Sequence, residues 1–184
     1  VFDNRNLIFK KVEGNLDNAK FSLSGIGNTK GEVELSAKLE NALVSTVLEI
    51  FEKSAISERY NFLTKKIAAT SGKMSAKINL KGTIKNYEDE KFLNDLDLSG
   101  LLEFKNDKIF LKNKAKINSL LGFLEFGKAQ KGSFNFKLGN SKVDFSLNSK
   151  DSLEKISKNK TVEFNSKMRS NKLSLKDVVL NVLP

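Results

Sequence analysis

Apolar and polar residues alternate along most of this chain, and the alternation restarts after each glycine or Asn/Asp/Lys turn. Lys20-Phe21-Ser22-Leu23-Ser24-Gly25 is one copy, and 74–82, 96–104, 133–138 and 142–147 are others. A period of two marks a strand with one dry face and one wet face. Repeated this often, it predicts a large antiparallel sheet. What the dry face meets is then the functional question.

Read in order, the pattern predicts strands over 5–13, 19–25 and 32–39, separated by turns at 14–18 and 27–28. The period then changes. Leu43, Val44, Val47, Leu48 and Phe51 fall at helical spacing, and Tyr60, Leu63 and Ile67 can continue on a second helix, so a helical segment is expected near 40–70, with Asn41 or Ser57 as an N-cap. Strands resume over 73–84, with Met74, Ala76, Ile78, Leu80 and Ile84 facing one way, and an acidic turn follows at 86–90. A hairpin is expected next: 93–104, a polar turn over Lys105-Asn106-Asp107-Lys108, and 108–117. The run 120–126 is apolar in both phases and reads as a buried strand or a short helix. Residues 133–138 and 142–147 form a second hairpin around Gly139-Asn140-Ser141. A polar loop over 150–160, a late strand over 161–168 and a strand passing into a helix over 173–183 complete the reading.

The fold class that follows is mainly β: a large curved antiparallel sheet, either an open groove or a partly closed barrel or sandwich, in one domain over 1–184. The chain begins at Val1 and is read as a fragment of a longer protein. The dry face collects Phe21, Leu23, Val33, Leu35, Ile78, Leu80, Leu98, Leu102, Phe104, Ile109, Leu111, Ile117, Phe134, Phe136, Val143, Phe145, Val162 and Phe164. Such a face closes on itself as a core, or it stays open and takes acyl chains, each buried methylene contributing about 0.8 kcal/mol.

Charge and chemistry narrow this little. Lys plus Arg number 32 against 22 acids, a net +10 that admits anionic partners, but the lysines are spread over every segment and read as a solvated outer face. Cysteine and histidine are both absent, which removes thiolate and imidazole metal sites, Cys nucleophiles and His-based triads. Glu88-Asp89-Glu90 is an acidic cluster at a turn, and Gly25-Ile26-Gly27 lacks the third glycine of a phosphate loop. The phenylalanines lie in phase with the dry face and not on a basic platform, so no nucleic-acid partner is expected. No catalytic set, metal site or cofactor is expected.

Two stretches carry a family resemblance. LIFKKVEGNLDNAKFSLSG, over 7–25, and SGKMSAKINLKGTI followed by LDLSGLLEFKNDKIFLKN, over 71–84 and 96–113, repeat a phrase of apolar strand, glycine, strand and short polar turn. The C-terminal NKLSLKDVVLNVLP is like a strand leading into a helix. This rhythm resembles the AsmA-like superfamily of bacterial envelope proteins. The resemblance implies a curved sheet with a hydrophobic groove, tethered to the inner membrane and projecting into the periplasm, that conducts phospholipid toward the outer membrane or affects outer-membrane assembly. It implies no catalytic residue and no invariant ligand contact. The alternative expectation is a closed-core β domain whose basic surface binds an anionic envelope partner.

Overall fold

Each alternating run pairs with the next one along the chain, so the sheet is a simple meander. The computed structural model describes residues 2–3, 6–16, 19–54, 57, 64–65, 67–84, 96–112, 116–152, 155–156 and 163–171. Its strands are β1 (Phe2–Asp3), β2 (Asn6–Leu16), β3 (Ala19–Asn28), β4 (Glu32–Leu43), β5 (Ile67–Thr83), β6 (Leu96–Leu111), β7 (Lys116–Phe126), β8 (Gln130–Leu138), β9 (Ser141–Ser149) and β10 (Asn165–Ser170). They form one 10-stranded antiparallel sheet in sequence order. The sheet is not closed into a barrel. The fold class expected from alternation is therefore the one observed, in its open form.

Short polar turns impose this order. At the β3–β4 turn, Asn28 Oδ1 accepts the Lys30 and Glu32 amides at 2.9 and 3.0 Å, and Gly31 takes φ 81°. Between β8 and β9, Gly139-Asn140 makes a two-residue turn with Gly139 at φ 58°, as the sequence predicts.

The single described helix, α1 (Val44–Lys53), follows β4 directly and lies on the dry face. Val44, Met74 and Ala76 are buried beneath it, with Leu39, Val47, Leu48, Leu102 and Phe104 packed around them. Phe51 extends the contact to Leu98, against which Ile78, Leu80 and Phe126 also pack. Val44, Val47, Leu48 and Phe51 are helical-period residues of the sequence reading, whereas Leu43, read with them, ends β4 and is exposed. The helix is shorter than the segment expected near 40–70: residues 40–43 finish β4, and Ile67 begins β5. Residues 58–63 lie outside the described residues. Asn41 does not cap α1, whose first turn has no side-chain cap.

Asn41 has another role. It takes φ 55° at a bulge in β4, and three more positive-φ residues mark irregularities in the neighbouring strands: Gly72 (117°) in β5, Asn106 (61°) in β6 and Ser119 (53°) in β7. The irregularities adjoin one another across the sheet. A bulge bends its strand and increases the local twist, so a line of them bends the sheet as a whole. Those in β4, β6 and β7 also shift the alternation by one residue. In β6 the dry side chains switch from Leu98, Leu102 and Phe104 to Ile109, which pairs with Ile117.

This corrects the hairpin expected at 105–108. No turn occurs there: β6 runs unbroken from Leu96 to Leu111. The Asn-Asp pair sits inside a strand because Asp107 provides acceptors that the bulges need. Its Oδ2 accepts the Lys105 amide at 2.9 Å, and the Lys73 amide of β5 also donates to the carboxylate. The run 120–126 is resolved as strand within β7. The late strand is shorter than expected and starts at Asn165, and the segments 86–90 and 173–183 lie outside the described residues.

Candidate functional site

Directly paired residues share a face, so the register assigns the dry side. One rung reads Gly14, Phe21, Leu39, Ala76, Leu102, Leu124, Gly132, Leu147; the next includes Met74, Phe104, Gly122, Phe134, Phe145, Met168. Large side chains lie across glycines. A Cβ at Gly14 would meet the Phe21 ring at 2.5 Å, one at Gly25 would meet Leu35 Cδ2 at 2.5 Å, and one at Gly100 would meet Phe126 at 2.8 Å. The dry face is thereby paved with flattened apolar groups.

The helix divides this face. Of the residues expected on it, Leu98, Ile78, Leu80, Leu102 and Phe104 pack under or beside α1. Phe21, Leu23, Val33 and Leu35 lie to one side, on β3 and β4. Phe134, Phe136, Val143 and Phe145 lie to the other, on β8 and β9. Ile109 and Leu111 occupy the part of β6 beyond its bulge. Phe164 precedes β10 and is exposed, outside the paired sheet, and Val162 lies outside the described residues.

The two flanks expose apolar groups. Val12, 46% exposed, pairs with the exposed Leu23, and Leu16 adds to the same corner. On the far flank a ladder of rings runs outward from the helix. Phe104 and Phe134 have centroids 6.1 Å apart at 54°, Phe134 and Phe145 are 6.2 Å apart at 25°, and Met168 follows at 55% exposed. Gly122 stands between Phe104 and Phe134 and lets them approach. Val143 is 1% exposed, so coverage on this flank is uneven.

A polar clasp fixes one end of the far flank. Buried Gln130 donates to the Gly127 and Asp151 carbonyls, and buried Ser149 donates to the Glu163 carbonyl at 2.8 Å. Asp151 accepts the Glu163 amide and pairs with Lys155, and its carboxyl is held below the ordinary value, chiefly by the Lys155 hydrogen bond. These bonds tie the approach to β10 onto the ends of β8 and β9.

Asp107 is the exception to the apolar character of the interior. It exposes no surface, and its Oδ1 has no hydrogen-bond partner, nor does the buried Thr70 Oγ1. Burial pushes its carboxyl above the ordinary value, while the Lys105 and Lys73 amides pull the other way. The carboxylate rests against Gly72, where a Cβ would fall 1.9 Å from Oδ1. The sequence reading missed this residue as an interior group. The phase change from Phe104 to Ile109 was the signal that could have found it.

The wet face has features of its own. Lys38 pairs with Glu40 at 2.5 Å and Lys81 with Glu34 at 2.9 Å, all solvent-exposed. Over β7–β10 the same face forms two adjoining hollows of about 580 and 390 Å³. Among the described residues, no group of acidic residues could hold a metal ion, and no helix is long and apolar enough to cross a membrane. The chain matches no known family, no curated protein and no solved structure.

Proposed function

We propose that this domain is a non-enzymatic lipid-binding module of a cell envelope, in which the dry face takes acyl chains on the flanks of α1. The observation that carries the reading is the mismatch between sheet and helix. Ten strands at about 4.8 Å spacing span about 48 Å, whereas a helix is about 10 Å across. The described helix packs on the middle strands and leaves Val12, Leu16 and Leu23 exposed at one flank and Met168 at the other. Apolar groups left uncovered on a wide sheet face are where a further apolar partner can seat. The resemblance to AsmA-like proteins supports phospholipid as the ligand, with a membrane tether elsewhere in the protein and a periplasmic location.

Photo-crosslinking in cells tests this. Probes at Leu23, Phe136 and Met168 should label lipid, whereas outward Lys77 and Lys137 should not. Equal labelling at both sets, or none, overturns the reading and leaves a domain whose dry face serves only as core. Lipid mass spectrometry of the purified domain should also find phospholipid.

A further inference from the structure

We propose that the wet face of β7–β10 is a binding trough for a small anionic amphiphile, with Leu121 and Phe123 receiving the apolar tail and Lys167 and Arg169 the anionic head. The register builds its walls. Leu121 pairs across β7–β8 with Asn135, Asn135 with Asp144, and Asp144 with Arg169. On the next rung Phe123 pairs with Ser133, Ser133 with Ser146, and Ser146 with Lys167. The trough thus has an apolar wall on β7, a floor of short polar side chains on β8 and β9, and a cationic wall on β10.

Three features meet there. Leu121 is 48% exposed, as Ile26 and Leu43 are elsewhere on this face, and the Phe123 ring lies beside it. The hollow they line, about 580 Å³, is shallow and open to solvent along one side. The cations are open as well. Lys38 and Lys81 are neutralised by Glu40 and Glu34, whereas Lys77 and Lys137, also on the wet face, are in no ion pair among the described residues. Lys167 and Arg169 are in no ion pair among the described residues, although Asp144 stands opposite Arg169 in the register. Asp144 is instead engaged by Asn135 Nδ2 at 2.5 Å. Two cations in no ion pair among the described residues, at the edge of a partly apolar hollow, suit a carboxylate or phosphate on an alkyl chain. The site lies on the opposite face from the lipid-binding flanks and does not rest on them.

The test is an amide-resolved NMR titration of the whole chain with dodecyl phosphate and dodecanoate below their micelle concentrations. Dodecyl maltoside and inorganic phosphate serve as the neutral-head and tailless controls. Saturable shifts are expected around residues 121–123, 133–135, 144–146 and 167–169 with either anionic amphiphile. Each control should bind at least about tenfold more weakly. Lys167→Gln with Arg169→Gln should weaken binding about tenfold, as should Ser146→Phe, which fills the floor without altering charge. Lys38→Gln with Lys81→Gln should leave it unchanged. If the β10 double variant loses its fold, Ser146→Phe alone decides. Equal binding of the maltoside, equal loss in the Lys38/Lys81 variant, no effect of Ser146→Phe, or shifts confined to the dry face would overturn the trough. The same spectra distinguish head chemistry: a response to dodecyl phosphate but not dodecanoate assigns a phosphate head.

Discussion

The sheet beneath α1 and the sheet over β8–β10 are written in the same alternating code but end in different environments. Val44, Met74 and Ala76 form a covered core, with Phe104 packed against it. Phe134 and Phe145, half-buried, continue the Met74–Phe104 rung in the same phase, and Met168 beyond them is 55% exposed. Alternation therefore reports which way a side chain points and not what covers it. Coverage comes from a separate segment, and one helix on a sheet this wide covers only part of it. The uncovered part is where an apolar surface can bind something else.

Phe104→Asp makes the largest test of this contrast. Packed against the covered core, it loses ring packing and sets a charge against apolar neighbours, and it should cost about 3 kcal/mol by urea denaturation. Phe145→Asp, on the half-covered flank, should cost clearly less. Equal losses would mean that the two regions are equally buried in solution. Gly122→Ala comes next. Gly122 has φ 143°, and a Cβ there would lie 2.1 Å from the Ser133 carbonyl oxygen. Strain and collision should lower stability by about 2–3 kcal/mol, and separating the Phe104 and Phe134 rings would uncouple the covered region from the flank. A neutral Gly122→Ala would show that β7 and β8 are not in this register.

The antiparallel sheet, the phase of most of its strands and the α1 stripe were legible, because each rests on a local period that the structure retains. Val44, Val47, Leu48 and Phe51 needed only spacing. The bulges were not legible, because a bulge and a turn leave similar traces. Both place small polar residues in a strand, and both can shift the phase of the alternation that follows. At Lys105-Asn106-Asp107-Lys108 the polar residues suggested a turn, whereas β5 and β7 continue pairing past them. Deciding between the two takes the partner strands. The trough was hidden for a related reason. Leu121 falls in a run that is apolar in both phases, and the β10 cations are three strands away, so only the register brings them together.

Asp107 gives a smaller effect with a defined sign. Its folded pKa is raised, so the native state binds more protons than the unfolded chain between the ordinary carboxylate value and the raised one. Stability should fall as pH rises through that window. Glu40, Glu49 and Asp151 have lowered values, so their contributions are lost on acidification, below their ordinary values. The windows lie on opposite sides of the ordinary carboxylate value, which lets denaturation midpoints at mildly acidic and neutral pH isolate Asp107. Asp107→Asn should abolish the decline. An identical pH slope in the variant would place the carboxylate in water, and the bulge line would then be open to solvent.

The smallest expected change in stability carries the most information about function. Met168 ends the aromatic ladder on β10, more than half exposed, with Phe145 as its partner in the register. Met168→Asp should move the folding free energy by no more than about 0.5 kcal/mol, because the new carboxylate can stay hydrated. Lipid occupancy should respond differently. An acyl chain lying along the far flank would have to pass a charge in place of a thioether, losing apolar contact and partly desolvating the carboxylate. Co-purified phospholipid, quantified by mass spectrometry, should therefore drop well below the wild-type amount while the urea midpoint stays in place. Lys137→Asp, on the wet face of β8, should change neither quantity. If Met168→Asp were to retain its full lipid load, the far flank would not be the binding face. If it were to unfold the domain, Met168 would belong to the covered core, and the division of this sheet by α1 would be wrong.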